Sequence, residues 1–214
     1  MDHFVIEQVK QYKTIAIFRR VPDALTIPMA QALYEGGIRL LEITFDQADP
    51  ERLAVTCRTI QRLVERFDGR LLVGAGTVMS PEEVRSAASA GAAFVLAPNT
   101  DPAVIREALA RNVEPVPGAF TPTETAAAAE AGASLIKIFP AGILGPSYLR
   151  ALRAPLNHVH LLAVGGVTAE NQRDYLEAGA IGTGVSSGLV DPALAERGAF
   201  DEITERARRY KLWK

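Results

Sequence analysis

The sequence predicts an α/β fold, a (β/α)8 TIM barrel built as a single domain over residues 1–214. Three observations predict it. Short apolar runs rich in Val, Ile, Leu or Ala alternate with longer stretches rich in Ala, Glu and Arg, the alternation that strand and helix make in a parallel sheet. Eight such pairs can be counted, and 214 residues hold them as a barrel slightly below the usual size of about 250. An Ala-Gly-Ala joint followed by an apolar run recurs at 90–92, 131–133 and 178–180, marking equivalent passages from helix to strand. An open doubly wound sheet is the competing architecture. It is disfavoured because the first strand-to-helix junction, Phe18-Arg19-Arg20-Val21-Pro22-Asp23, lacks a glycine-rich dinucleotide turn, and Gly74-Ala75-Gly76-Thr77 follows the third strand instead.

In chain order, the first strand is expected over 14–18 and its helix over 23–34, ending at Gly36-Gly37. The second pair spans 38–43 and 50–66, and the third 70–74 and 81–90. Ser80-Pro81 opens that third helix: the serine oxygen accepts an orphan backbone N–H, and proline has none to satisfy. Asp101-Pro102 and Thr121-Pro122 open the helices over 102–111 and 122–131 in the same way, after strands over 94–97 and 114–116. The last three pairs are 135–139 with 146–153, 159–164 with 169–178, and 180–184 with 200–210. Gly91, Gly132 and Gly179 stand where a left-handed residue would end a helix.

Hydrophobic residues make up 48% of the chain and charged ones 22%, enough for a sizeable core and incompatible with disorder. The 23 Lys+Arg and 25 Asp+Glu leave a net charge of −2 with no run of one sign, so neither nucleic acid nor an anionic membrane is an expected partner. Residues 1–13 carry Asp2, Glu7 and Lys10 and no apolar stretch of signal-peptide length. Apolar runs elsewhere break well before the roughly 20 residues of a membrane span, so the expected location is the cytoplasm. A lone cysteine, Cys57, excludes an internal disulfide and a cysteine-built zinc site. His158 and His160 are two apart and His3 is remote from them in sequence; they read as surface or strand-edge histidines, and no metal is expected.

Barrel chemistry comes from the carboxyl ends of the strands. Strand alternation puts Leu40, Glu42 and Thr44 on one face and Leu41, Ile43 and Phe45 on the other; it likewise separates Leu135, Lys137 and Phe139 from Ile136 and Ile138. If the Leu41/Ile43 and Ile136/Ile138 faces pack on helices, Glu42 and Lys137 both look into the barrel. A lysine there is either half of a buried ion pair or an amine of lowered pKa. Such an amine can attack a ketone to form an iminium, an electron sink for an adjacent C–C bond, while Glu42 shuttles protons. Gly165-Gly166-Val167-Thr168 and the loop Gly182 to Gly188, with Ser186 and Ser187, are either tight turns or an anion pocket of the kind barrels place after their last two strands, one side opened by a helix N-terminus. Arg19 could clamp an anion or lie solvated beside Arg20, and Thr77 could offer a hydroxyl or only turn the chain. The alanine row 126–129 reads as helix packing, and Arg206, Arg208, Arg209 and Lys211 as a solvated helix face.

Glu42 in Leu41-Glu42-Ile43-Thr44, Gly74-Ala75-Gly76-Thr77-Val78, Ala97-Pro98-Asn99, Pro117-Gly118, Lys137-Ile138-Phe139-Pro140 and Gly165-Gly166-Val167 together form an ordered pattern. From about residue 14 to 190 it resembles the class I aldolases of the 2-keto-3-deoxy-6-phosphogluconate (KDPG) and 4-hydroxy-2-oxoglutarate (KHG) family. That resemblance implies a barrel, usually a homotrimer, that reversibly cleaves a 2-keto-4-hydroxy acid to pyruvate and an aldehyde, phosphorylated in the KDPG case, with no metal or other cofactor. It implies Lys137 as the Schiff-base lysine and Glu42 as the general acid/base. It further implies Thr77 as a contact for the pyruvyl carboxylate, Pro98 and Phe139 as pocket walls, and Arg19 as a ligand of a substrate anion. Gly165, Gly166 and Ser187 would form the phosphate end. One position departs: where the KDPG enzymes usually carry an arginine, this chain has Asp46 in Thr44-Phe45-Asp46. An acid cannot fork a carboxylate, which turns the expectation towards the galactonate analogue, with Arg19 and Thr77 taking the carboxylate and Asp46 pointing away or meeting a hydroxyl. Two other readings stay open on the residues: a sugar-phosphate isomerase or epimerase without a covalent adduct, and a silent barrel that binds a phosphorylated metabolite.

Overall fold

The computed structural model describes residues 4–210; His3 and Lys211, weighed above, lie outside the described residues. The strands are β1 (Thr14–Phe18), β2 (Leu40–Thr44), β3 (Leu72–Gly76), β4 (Phe94–Leu96), β5 (Glu114–Val116), β6 (Gly118–Ala119), β7 (Leu135–Ile138), β8 (His160–Val164) and β9 (Ala180–Val185). All pair in parallel, in the order β5-β4-β3-β2-β1-β9-β8-β7-β6. β5 and β6 are halves of one stave. Pro117 divides them: its ring has no N–H to give, but its carbonyl accepts from Lys137 N at 2.9 Å, while Ala97 N donates to Val116 O at 3.2 Å on the other flank. The eight expected strands are thus the eight staves of a nearly closed barrel.

The helices are α1 (Phe4–Tyr12), α2 (Asp23–Glu35), α3 (Arg52–Phe67), α4 (Pro81–Ser89), α5 (Pro102–Ala110), α6 (Pro122–Glu130), α7 (Ala141–Arg153), α8 (Gln172–Glu177), α9 (Pro192–Glu196) and α10 (Phe200–Arg208). Alternation along the strands makes two apolar layers. Ile15, Ile17, Leu40, Phe94, Leu96, Val116, Leu135, Leu162 and Val164 fill the barrel. Leu41, Ile43, Val73, Val95, Ile136 and Ile138 face outward onto Leu33, Ile60, Leu63, Val84, Ile105 and Leu149 of the helices. The expected face assignment of β2 and β7 therefore holds.

Proline-adjacent caps act as expected. Ser80 accepts from Glu83 N, Asp101 accepts from Ala103 N, and Thr121 forms a full capping box with Glu124. The same signal at Asp191-Pro192 opens α9, a helix the sequence reading did not include. α1 was likewise unforeseen: Val5, Ile6 and Val9 join the interior layer and close the barrel at the amino ends of the strands. Other boundaries shift. α7 starts at Ala141, not 146, and breaks at Gly145 (φ 73°, ψ 167°). β3 runs two residues later than expected, so Gly74 and Gly76 lie inside the strand and do not form a turn after it. They are glycine because neighbours need the room: a Cβ on Gly74 would overlap the Phe94 ring, and one on Gly76 would overlap the Glu42 carboxyl.

Candidate active site

Glu42 sits mid-strand on β2, in register with Ile17 of β1 and Gly74 of β3. Lys137 is flanked on β7 by Gly118 and Leu162. In the ring of staves β2 and β7 stand opposite, so the two inward side chains approach across the barrel. Both are buried, Glu42 at 2% and Lys137 at 6% exposure. They line one cavity of about 510 Å³, together with Arg19, Phe139, Gly165, Gly166 and Ser187. No hydrogen bond joins them among the described residues; each acts on the other through its charge.

Burial dominates both ionisations. It pushes the Glu42 carboxyl up, against the pull of Lys137, Arg19 and the Thr44 hydroxyl. It pushes the Lys137 ammonium down, with Glu42 opposing and Arg19 reinforcing. The Lys137 Nζ stands 4.6 Å from the centroid of the Phe139 ring. Thr44 Oγ1 donates to Glu42 Oε1 at 3.3 Å, and Glu42 Oε2 is buried with no partner among the described residues. An amine driven towards its neutral, nucleophilic form thus faces a carboxyl driven towards its proton-carrying form, with one oxygen uncommitted.

Arg19, just past β1, is exposed and makes no hydrogen bond or ion pair among the described residues. Besides the main cavity it borders a smaller adjoining hollow of about 190 Å³, with Arg20, Thr44, Asp46, Gln47 and Thr77. Thr77 lines this hollow and not the main cavity; Pro98 lines neither, and its backbone abuts Gly118 beyond β4. Asp46, partly exposed, is bonded to its neighbours. Its Oδ1 accepts from Ala48 N at 3.2 Å and its Oδ2 from Arg20 Nε at 3.0 Å, and those two bonds hold its carboxyl below the usual range. Arg20 is thereby occupied, and Arg19 stays available.

At the far end of the cavity, Gly165 and Gly166 adopt φ of 87° and 78° in succession. Gly142 N donates to Gly165 O at 2.7 Å, and the Asn171 side chain bridges the loop from Thr168 N (2.8 Å) to Gly166 O (3.0 Å). α8 begins only at Gln172, so the helix N-terminus expected directly after these glycines is displaced by the Asn171 turn. Ser187 is exposed at the cavity, whereas Ser186 Oγ donates to Ile17 O at 3.4 Å.

The model of the KDPG and KHG aldolase family matches residues 5–206. The chain belongs to the KDPG and KHG aldolase family. It is accordingly an aldolase, of the lyase class. A probable 2-dehydro-3-deoxy-6-phosphogalactonate aldolase of Rhizobium meliloti (strain 1021) is 39% identical over 182 residues, covering 85% of this chain and 83% of that protein. A solved structure described as native KDPGal superposes with a TM-score of 0.81 at 33% identity, covering 92% of this chain and 91% of the other. A cube-shaped, porous cage designed by fusing symmetric oligomeric domains contains a similar chain, with a TM-score of 0.83 and 33% identity over 94% of this chain and 71% of that one.

Within this aldolase barrel, the structure brings Arg19, Glu42, Lys137, Phe139, Gly165, Gly166 and Ser187 to one cavity. Ile17 and Val164 line it too, and they carry no distinguishing signal in the sequence because an apolar strand residue facing a cavity has the same local pattern as one facing the core. His158 and His160 border a separate hollow beside α1, at the opposite end. Among the described residues no group of three or more His, Cys, Asp or Glu is placed to hold a metal, and no helix is long and apolar enough to cross a membrane.

Proposed function

We propose that the chain works as a Schiff-base aldolase on a 2-keto-3-deoxy-6-phospho sugar acid, with Lys137 as nucleophile and Glu42 as general acid/base. The observation that carries this reading is the pair of buried, oppositely displaced groups facing each other in one cavity. The neutral Lys137 amine adds to C2, Glu42 delivers a proton to the departing hydroxyl, and water leaves to give the iminium. Loss of the proton from the C4 hydroxyl to Glu42 then breaks C3–C4. The bonding pair flows into the iminium as an enamine, and the three-carbon phosphorylated aldehyde departs. Protonation at C3 and hydrolysis release pyruvate and restore the amine.

In this reading Arg19 and Thr77 receive the carboxylate, Phe139 walls the keto-acid end, and Gly165, Gly166 and Ser187 take the phosphate. The galactonate analogue is favoured over KDPG, supported by the name of the Rhizobium relative and by an aspartate held at position 46 where an arginine fork is usual. The chain assembles as a homotrimer of single-domain barrels. Support comes from the cage built on symmetric oligomeric domains and from apolar surface at Ile143, 77% exposed, and Phe120, 40% exposed. A cytoplasmic setting suits a lone, half-buried thiol at Cys57.

Borohydride reduction in the presence of pyruvate, followed by peptide mass spectrometry, tests the mechanism. The adduct is expected on Lys137 and nowhere else; turnover with Lys137 unmodified would overturn it.

A further inference from the structure

Glu83 is an acidic residue, 2% exposed and outside the cavity, so its position calls for an explanation. Its Oε2 accepts from Met79 N at 2.6 Å, and its Oε1 accepts from Gln47 Nε2 at 2.9 Å and from Arg52 Nε at 3.0 Å. The same Gln47 Nε2 donates to Thr77 O at 2.8 Å, so one amide nitrogen spans the two acceptors. Glu83 therefore ties the segment after β3 to the segment after β2, and the Gln47 amide it holds is the group that reaches Thr77.

Thr77 is the residue there that needs holding. Its φ is 55°, a left-handed value that a β-branched side chain rarely adopts and that persists only where the surroundings impose it. The backbone on both sides is pinned as well: Phe45 N donates to Gly76 O at 2.8 Å and Val78 N to Leu96 O at 3.0 Å. In this conformation Thr77 borders the hollow it shares with Arg19, and its hydroxyl has no hydrogen-bond partner among the described residues. Gly76, the residue before it, lies against the Glu42 carboxyl.

We infer that Gln47 and Glu83 are positioning residues that hold Thr77 in its left-handed conformation, so that its hydroxyl, beside Arg19, binds the carboxylate of the keto acid. The inference rests on the aldolase reading above and deepens it, since it says which residues keep Thr77 in the conformation that reading requires. The chemistry singles out a 2-oxo carboxylate: without that carboxylate, a ketone has nothing for Arg19 and Thr77 to grasp.

The experiment is borohydride trapping of purified Gln47→Ala and of wild type, with pyruvate and separately with acetone, which offers the carbonyl alone. Gln47→Ala should raise the half-saturating pyruvate concentration about five- to tenfold, leave the trapping rate at saturation within about twofold, and leave acetone trapping unchanged. Equal pyruvate half-saturation in variant and wild type would overturn the inference, as would equal losses with pyruvate and acetone, which signify general damage. The exchange Gln47→Glu with Glu83→Gln retains an amide-to-carboxylate bond between the segments but sets an acceptor against Thr77 O, so it should fail to restore pyruvate affinity. Full restoration would mean that the clamp matters and the orientation of Thr77 does not. Absence of any wild-type adduct would instead refute the aldolase reading itself.

Discussion

Glu42 and Lys137 carry opposite displacements for one reason: each must shed water to enter the barrel, and each is pushed towards its uncharged form. Their charges remain coupled, which makes Glu42→Gln informative beyond loss of activity. The variant should lower turnover about 10²- to 10⁴-fold, the usual contribution of a positioned acid/base. Glu42 raises the Lys137 pKa when ionised, so removing it should also move the rising limb of pyruvate trapping against pH to lower pH. Trapping rates across pH, with that limb lying below 10.5 in wild type, check both parts. Gly76→Ala tests the same carboxyl through sterics. A methyl there must displace Glu42, so steady-state assays should show turnover falling at least about tenfold while circular dichroism stays that of the wild type. The inward placement of Glu42 and Lys137 was legible because period-two alternation fixes which way a strand residue points, and because polar residues are scarce in these strands. Glu83 was less legible. Ser80-Pro81-Glu82-Glu83 has the spacing of a capping box, but the side chain passes over Ser80 N for Met79 N and then recruits Gln47, a residue 36 positions away.

At the level of elements, proline-adjacent caps located the starts of α4, α5 and α6, and glycine stops the ends of α2, α4, α6 and α8, since their signals are local and stereochemical. α1 was missed because its nine residues carry no cap signal, and what makes them a helix is the barrel mouth they seal. α1 thus supplies stability from the end opposite the chemistry. Ile6→Ala, at a side chain 1% exposed, should cost about 2–5 kcal/mol in urea unfolding and leave kcat and KM unchanged. A change in either kinetic constant would mean that the two ends of the barrel communicate. The split fifth stave has a different origin: Pro115 and Pro117 flank Val116, so β5 can serve β4 and β6 can serve β7 only by dividing the pairing.

The whole molecule bears the energetic cost of its site. Replacing both groups by apolar residues, Glu42→Leu with Lys137→Met, should abolish activity and stabilise the fold by about 1–4 kcal/mol. The pH dependence has a definite sign. A carboxyl raised above 4.5 makes the wild type lose stability as pH climbs from 4.5 to its folded pKa. An ammonium lowered from 10.5 makes it regain stability from its folded pKa up to 10.5. The advantage of the double variant in urea midpoint should therefore be greatest between those limits and shrink towards both; a difference that does not vary with pH would show that the pair is not displaced.

By itself the sequence determined the repeat of strand and helix, the inward aim of Glu42 and Lys137, and the glycine loops after β8 and β9, because each follows from local periodicity and backbone stereochemistry. Tertiary structure alone decided which groups share a space. Closure of the ring set β2 opposite β7 and sealed one mouth with α1, while the loops after β1, β2 and β3 met to pair Arg20 with Asp46 and Gln47 with Thr77. Those contacts join residues tens of positions apart, and their partners are selected by the geometry of a closed barrel, which no local pattern encodes.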